Sequence, residues 1–275
     1  MTTASLPISD AELLETLVDT VLRAGRVVLE VYDSAFAVEQ KGDSSPVTEA
    51  DRLAEVIILA DLARLVPGIP VVAEEACSSG QVPAVGATFF LVDPVDGTRE
   101  FISRNGDFTV NIGLIRNGTP VLGIVYAPVR GALYLGRLGA AAERLYVEND
   151  RVVARQIIGV ACPCPEPPRI IASRSHRTSE TDAFIATHPG ASIVSAGSSL
   201  KFCLMAAGEA DLYPRMGPTM QWDTAAGDAV LRAAGGIVTE TDGRPLGYGP
   251  NGRPGAMAFA NPWFVAYGCV RTNLD

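Results

Sequence analysis

Residues 91–98 read Leu91-Val-Asp-Pro-Val-Asp-Gly-Thr98. The apolar run Phe89, Phe90, Leu91, Val92 leads into them and predicts a short buried strand over 89–92. Asp93 and Asp96 therefore leave a strand end together, on a turn stiffened by Pro94. Two carboxylates held close repel each other unless a cation lies between them. Oxygen-only ligation favours a hard cation, Mg²⁺ ahead of Zn²⁺. Gly97 has no side chain, so a phosphate can approach the backbone N–H groups of Gly97 and Thr98. The octet by itself also reads as an Asx turn with solvated acids.

Further from the octet, elements of both kinds follow one another. Leu13, Leu14, Leu17, Val18, Val21, Leu22 and Val28 recur at helical spacing and predict a helix over 10–33, with Asp10 as its N-cap. A second helix is expected over 50–65, ending before Pro67-Gly68. Strands are expected at 70–73, 109–115, 121–126 and 132–136, with Asn117-Gly118 closing a hairpin. Residues 161–168, Ala-Cys-Pro-Cys-Pro-Glu-Pro-Pro, read as a linker. Beyond it come strands at 169–172, 192–195, 237–240 and 256–260. Helices are expected at 179–187, 199–208 and 223–234, the last stopped by Gly235-Gly236. Interspersed strands and helices in both halves predict a layered α/β protein with two lobes.

The 275 residues, 48% hydrophobic and 19% charged, suit a folded globular protein. A net charge of −9 argues against a binder of nucleic acid polymers, which would carry a basic face. It leaves room for a nucleotide substrate, because metal ions offset local acidity. No run approaches the roughly 20 apolar residues of a transmembrane segment. The first residues lack a basic and an apolar leader region, so a cytoplasmic location is expected. Five cysteines without paired spacing, Cys77, Cys162, Cys164, Cys203 and Cys269, predict reduced thiols and no zinc site.

More acids sit at element ends. Glu74 and Glu75 follow the strand 70–73, Asp51 begins a helix, and Asp223 begins another. Each alone has an ordinary reading, since an acid in the first turn complements the helix dipole. Together with a Gly-Thr turn they are what multi-metal phosphate hydrolysis requires. Trp222 sits next to Asp223 and reads as a packing residue.

The chain resembles the inositol monophosphatase superfamily of metal-dependent phosphatases. The resemblance rests on Asp93-Pro-Val-Asp-Gly-Thr98, Glu74-Glu75, Trp222-Asp-Thr-Ala-Ala-Gly227 with Ala234-Gly-Gly236, and Lys41-Gly-Asp-Ser-Ser-Pro-Val-Thr-Glu-Ala-Asp51. Within it, the chain is similar to the bacterial branch of 3′(2′),5′-bisphosphate nucleotidases. That similarity lies in Thr98-Arg-Glu-Phe101, Arg104-Asn-Gly-Asp-Phe-Thr-Val-Asn-Ile112, Ala172-Ser-Arg-Ser-His176, Gly197-Ser-Ser-Leu-Lys-Phe202 and Ala210-Asp-Leu-Tyr-Pro-Arg215.

The resemblance implies an α/β fold of the layered α/β/α/β/α sandwich type. An α+β lobe over 1–160 would carry most metal ligands, and an α/β lobe over 169–275 would carry Asp223 and substrate-binding residues. It implies two or three Mg²⁺ ions, held by Glu74, Asp93, Asp96, the Val95 carbonyl and Asp223. Asp51, Glu74 and Thr98 would be catalytic: Glu74 and the Thr98 hydroxyl orient the attacking water, and Asp51 accepts from Thr98. Glu75 would stand outside the ligand set. Substrate would meet Glu74, Val95, Asp96, Gly97, Thr98 and Asp223 at the scissile phosphate. Ser198, Ser199 and Lys201 would hold a second phosphate, with Arg215 and His176 as further candidates. The implied reaction is hydrolysis of adenosine 3′,5′-bisphosphate to AMP, linked to sulfate assimilation and inhibited by Li⁺. The alternative is activity on inositol monophosphate or fructose 1,6-bisphosphate. The implied partner is a small phosphorylated molecule. A homodimer and peripheral association with the inner membrane both stay open.

Overall fold

The computed structural model describes residues 6–40, 46–173, 178–251 and 257–269. Helix α1 (Asp10–Tyr32) opens with a capping box in which Ser9, not Asp10, is the N-cap. The Ser9 hydroxyl accepts from the Glu12 amide at 3.2 Å, and the Glu12 carboxylate accepts from the Ser9 amide at 3.1 Å. Asp10 is committed elsewhere, to both terminal nitrogens of Arg116 at 2.5 and 2.6 Å. The chain continues through β1 (Glu39–Gln40), β2 (Pro46–Val47), α2 (Glu49–Leu65), β3 (Val71–Ala73), α3 (Glu74–Ser78), β4 (Thr88–Asp96) and α4 (Thr98–Ile102). Then come five strands, β5 (Thr109–Arg116), β6 (Thr119–Ala127), β7 (Ala132–Arg137), β8 (Ala142–Glu148) and β9 (Arg151–Ile158).

Strands β3 to β9 form one seven-stranded sheet in chain order, β3 pairing parallel to β4 and the rest antiparallel. Strand β4 is buried on both faces, which is why its sequence reads as an unbroken apolar run. Phe90 and Val92 face a core shared with α1 and α2. Phe89 and Leu91 face a second core, shared with the later helices.

After residues 161–168, which hold no helix or strand, the chain builds β10 (Arg169–Ser173), α5 (Ser179–Ala186), β11 (Ser192–Ala196), α6 (Leu200–Ala206) and β12 (Leu212–Arg215). A 3₁₀ turn at Gln221–Asp223 leads into α7 (Ala225–Ala233), β13 (Ile237–Glu240) and β14 (Phe264–Tyr267). These strands form a mixed five-stranded sheet in the order β11-β10-β12-β14-β13. Helices α6 and α7 fill the space between the two sheets, and α5 packs against β12. The layers are thus α/β/α/β/α, the expected sandwich. Among the described residues, no helix is long and apolar enough to cross a membrane.

Helix α7 lies very close to the first sheet. Gly113, Gly123 and Gly136 are direct cross-strand neighbours on β5, β6 and β7. A Cβ on Gly123 would stand 2.2 Å from the Ala226 carbonyl oxygen, and one on Gly136 would stand 2.4 Å from Val230 Cα. This glycine stripe is the track on which α7 rests, and Asp223 sits just ahead of that helix.

Three further expectations are corrected. Strand β4 runs on through Asp96 instead of stopping at 92, with a register shift against β5 between Asp93 and Asp96. The strand expected at 256–260 is a turn over its described residues, pinned by Asn251 to the Met257 and Ala260 carbonyls. The strand proper is β14, farther on. Lastly, Cys162 and Cys269 form a disulfide across 107 positions, whereas Cys77, Cys164 and Cys203 keep their thiols. Asp211 explains the approach: its carboxylate binds the Arg169 amide after the linker, and its carbonyl binds the Gly268 amide after β14.

Candidate active site

The parallel register of β3 with β4 places Ala73 beside Val92, so Glu74 and Asp93 leave adjacent strands side by side. Asp93 is buried, and its Oδ1 accepts from the Val95 amide at 3.0 Å. Burial, then the charges of Glu74, Asp96 and Asp223, push Asp93 well above the usual carboxylate range. Asp96 is pushed up to about 6 by burial, with the Lys201 ammonium and the Ser199 donors opposing it. Asp223 is raised by burial and by the charges of Asp96 and Glu74, although its Oδ2 accepts from the Met220 amide at 2.9 Å.

The Pro94 step and the register shift turn the chain sharply, and Gly97 follows with φ +94°, a conformation that favours glycine. Its left-handed turn starts α4 at Thr98. The Thr98 hydroxyl lies 3.4 Å from Asp51 Oδ1 and 3.3 Å from the Val95 carbonyl. Asp51 is fully buried in the first turn of α2, where its other oxygen accepts from the Thr48 amide and hydroxyl at 2.9 and 2.7 Å.

A cleft of about 480 Å³ opens over these groups. Glu74, Asp96, Gly97, Thr98 and Asp223 line it, with Arg99, Ser198, Lys201, Tyr213 and Arg215 completing the wall. Lys201 is only 6% exposed, and burial lowers its ammonium to about 8. Its Nζ lies 5.5 Å from the centre of the Tyr213 ring. Arg215 donates to the Pro218 carbonyl at 2.7 Å, and its buried Nε has no acceptor among the described residues.

Of the expected site residues, Asp51, Asp93, Val95 and Ser199 are buried and do not line the cleft. Ser199 is 1% exposed and turned inward. Its amide donates to Asp96 at 2.6 Å, its hydroxyl donates to the Asp223 carbonyl at 2.6 Å, and it accepts from Asn111 Nδ2 at 3.0 Å. Glu75 turns toward a different hollow, on the far side of α3. Trp222 packs in the core between the sheets. His176 lies outside the described residues.

Sequence reading missed Asn111, Asp107 and Glu55. Asn111, opposite Asp93 on β5, donates to both Asp96 and Ser199, and its buried Oδ1 has no partner among the described residues. Asp107 accepts from the Gly197 amide at 3.2 Å, tying the loop before β5 to the Gly197-Ser-Ser turn. Asn111 and Asp107 both fall inside the Arg104–Ile112 motif, where the motif gives their presence but not their partners. The donor types suit a hard divalent cation: oxygen atoms only, three carboxylates raised chiefly by burial, and a buried amide oxygen beside them. Among the described residues, no three His, Cys, Asp or Glu side chains stand close enough together to hold a metal ion.

The family model described as the inositol monophosphatase family matches residues 9–266. The chain is 43% identical over 254 residues to the 3′(2′),5′-bisphosphate nucleotidase CysQ of Escherichia coli O157:H7, covering 92% of this chain and 98% of that protein. It is 37% identical over 257 residues to CysQ of Buchnera aphidicola subsp. Acyrthosiphon pisum, covering 93% of each. Among solved structures, CysQ from Bacteroides thetaiotaomicron, a bacterial member of the inositol monophosphatase family, superposes with a TM-score of 0.76. That likeness has 37% identity and covers 94% of this chain and 97% of that one.

Proposed function

The chain belongs to the inositol monophosphatase family, and from that premise we propose that it is a 3′(2′),5′-bisphosphate nucleotidase that hydrolyses adenosine 3′,5′-bisphosphate to AMP and phosphate. One observation carries the reading: a single cleft joins a carboxylate set with three cations, Arg99, Lys201 and Arg215. The carboxylates suit metal ions at the reacting phosphate. The cations suit a second phosphate that those ions do not reach.

Glu74, Asp93, Asp96 and the Val95 carbonyl would hold Mg²⁺, and Asp223 would join Asp93 and Asp96 at another ion. When bound, Mg²⁺ supplies positive charge against the phosphate and acidifies water. The protein's own part is proton handling and position. The Thr98 hydroxyl donates toward Asp51, which leaves its oxygen free to accept from the attacking water. Glu74 orients that water. The amides of Gly97 and Thr98 receive the scissile phosphate. Water forms the new P–O bond, the bond to the ribose 3′ oxygen breaks, and that oxygen takes up a proton. Lys201, Arg215 and Ser198 hold the 5′-phosphate. On this reading the enzyme serves sulfate assimilation in the cytoplasm.

Phosphate release by the purified chain tests this on adenosine 3′,5′-bisphosphate, inositol 1-phosphate and fructose 1,6-bisphosphate, each with Mg²⁺ and with chelator. The bisphosphate nucleotide should give the highest kcat/KM, and chelator should abolish turnover of all three. A higher kcat/KM on either of the other substrates would replace the nucleotide reading with that one.

A further inference from the structure

Helix α3 carries Glu74 as its first residue, yet it is five residues long and its N-cap, Ala73, has no side chain able to cap it. The first amides of a helix have no partner within the helix. Here two of them are met from another element. Glu55, on α2, accepts from the Glu75 amide through Oε2 and from the Ala76 amide through Oε1, both at 2.9 Å. Glu55 is buried, and Arg52 on the same helix is engaged with Glu39. A carboxylate that uses one oxygen on each of two successive amides fixes both the height and the rotation of the short helix it caps.

Asp51 and Glu55 stand four positions apart on α2, so they share one face of that helix. Asp51 reaches Thr98, and Glu55 reaches the helix that begins with Glu74. One rigid face of α2 thus sets both groups assigned to the attacking water.

We propose that Glu55 is a positioning residue that clamps α3 and so holds Glu74 at the distance from Asp93 that Mg²⁺ binding needs. This rests on the reading of Glu74 as a metal ligand. A residue that supports a ligand from behind usually matters nearly as much as the ligand, at about ten- to a hundredfold in metal affinity.

The test is Mg²⁺ binding by calorimetry to the full chain without substrate, read beside the melting temperature of the metal-free protein. Glu55→Gln keeps the size but replaces one acceptor with a donor facing an amide. Glu55→Asp keeps the charge but is one methylene too short for both amides. Both should weaken Mg²⁺ binding at least about tenfold. The metal-free melting temperature should drop by only a few degrees, the size of one lost helix cap, and KM for adenosine 3′,5′-bisphosphate at saturating Mg²⁺ should not move. Wild-type Mg²⁺ affinity in either variant overturns the proposal, and so does a fall in metal-free stability with affinity unchanged. Glu74→Gln measured alongside separates the two levels. If it too binds Mg²⁺ normally, the metal-site reading fails; if it alone is impaired, only the role of Glu55 fails.

Discussion

Asp93 and Asp96 are three positions apart, yet the fold gives them different surroundings. Asp93 faces three other carboxylates and rests on a single backbone amide, so it stands well above the usual range. Asp96 has the Lys201 ammonium and the Ser199 amide for support, so it rises only to about 6. Both folded values lie above those of the unfolded chain, near 3.9 on average for aspartate. The folded state therefore keeps protons that the unfolded state has released, and metal-free stability falls as pH rises from about 4 through the folded values. Below that window the effect is absent. Asp93→Asn and Asp96→Asn cannot ionise, so without metal each should match or exceed wild type in melting temperature at about pH 8, where the wild-type repulsion is greatest. With Mg²⁺ the order should reverse, because each variant has lost a ligand charge. Turnover should drop at least about a hundredfold for the same reason. Thermal melts at about pH 5 and about pH 8, with chelator and with Mg²⁺, check the stability part. Near-normal kcat at modest Mg²⁺ in either variant would sink the site assignment.

At the scale of elements, the placement of Asp223 depends on α7, and α7 depends on glycines that carry no chemistry. With Gly123 a methyl group would stand 2.2 Å from the Ala226 carbonyl and 2.7 Å from Ala229 Cβ. The obstacle is helix backbone, which cannot swing aside as a side chain does. Gly123→Ala should therefore cost about 1–3 kcal/mol in urea unfolding, the range for overpacking. It should also lower kcat, because lifting α7 moves the turn that holds Asp223. A stability loss under about 0.5 kcal/mol, the size of a neutral surface change, would show that the close track is not needed. The elements also show what a sequence reveals and what it conceals. The β5–β6 hairpin was legible because Asn117-Gly118 carries positive φ at both residues, a state Asn and Gly accept. Asn149-Asp150 does the same between β8 and β9 but gives no clear signal, because the apolar residues of β9, Val152-Val153-Ala154 and Ile157-Ile158, come in runs instead of alternating. The carboxylates of β4 were legible because Asp, Pro and Gly crowd into eight positions. The setting of Ser199 is hidden from the sequence because its partners, Asp96 and Asp223, lie 103 and 24 positions away. No local pattern tells whether a serine at a turn faces a phosphate or a carboxylate. Glu55 was silent for a similar reason, since an acid on a helix face looks solvated until its partner amides are known.

Over the whole molecule, the cleft draws on both sheets, and each side brings a different kind of group. The seven-stranded sheet and its short helices bring Glu74, Asp96 and Thr98, with Asp93 buried behind them. The later part of the chain brings Asp223, Lys201 and Arg215. Ser199 fastens the two sides, holding Asp96 with its amide and the Asp223 backbone with its hydroxyl. The chemistry and the choice of substrate can thus be separated by mutation, provided that the shared effect is accounted for. Lys201 has two duties: it faces the cleft, and its charge steadies Asp96. Lys201→Met keeps the apolar stem packed near Tyr213 and removes only the ammonium. The loss of support for Asp96 weakens the metal site for every substrate alike. The loss of a charge-assisted contact to a second phosphate weakens only substrates that have one there. That contact is worth about 1.5–3 kcal/mol, or roughly ten- to a hundredfold in kcat/KM. Measured at saturating Mg²⁺, kcat/KM should therefore fall by that factor more for adenosine 3′,5′-bisphosphate than for inositol 1-phosphate. The ratio of the two losses cancels whatever happens at Asp96. Equal losses would confine Lys201 to support of the carboxylates, and the second phosphate would then rest on Arg215, whose buried Nε still has no acceptor among the described residues.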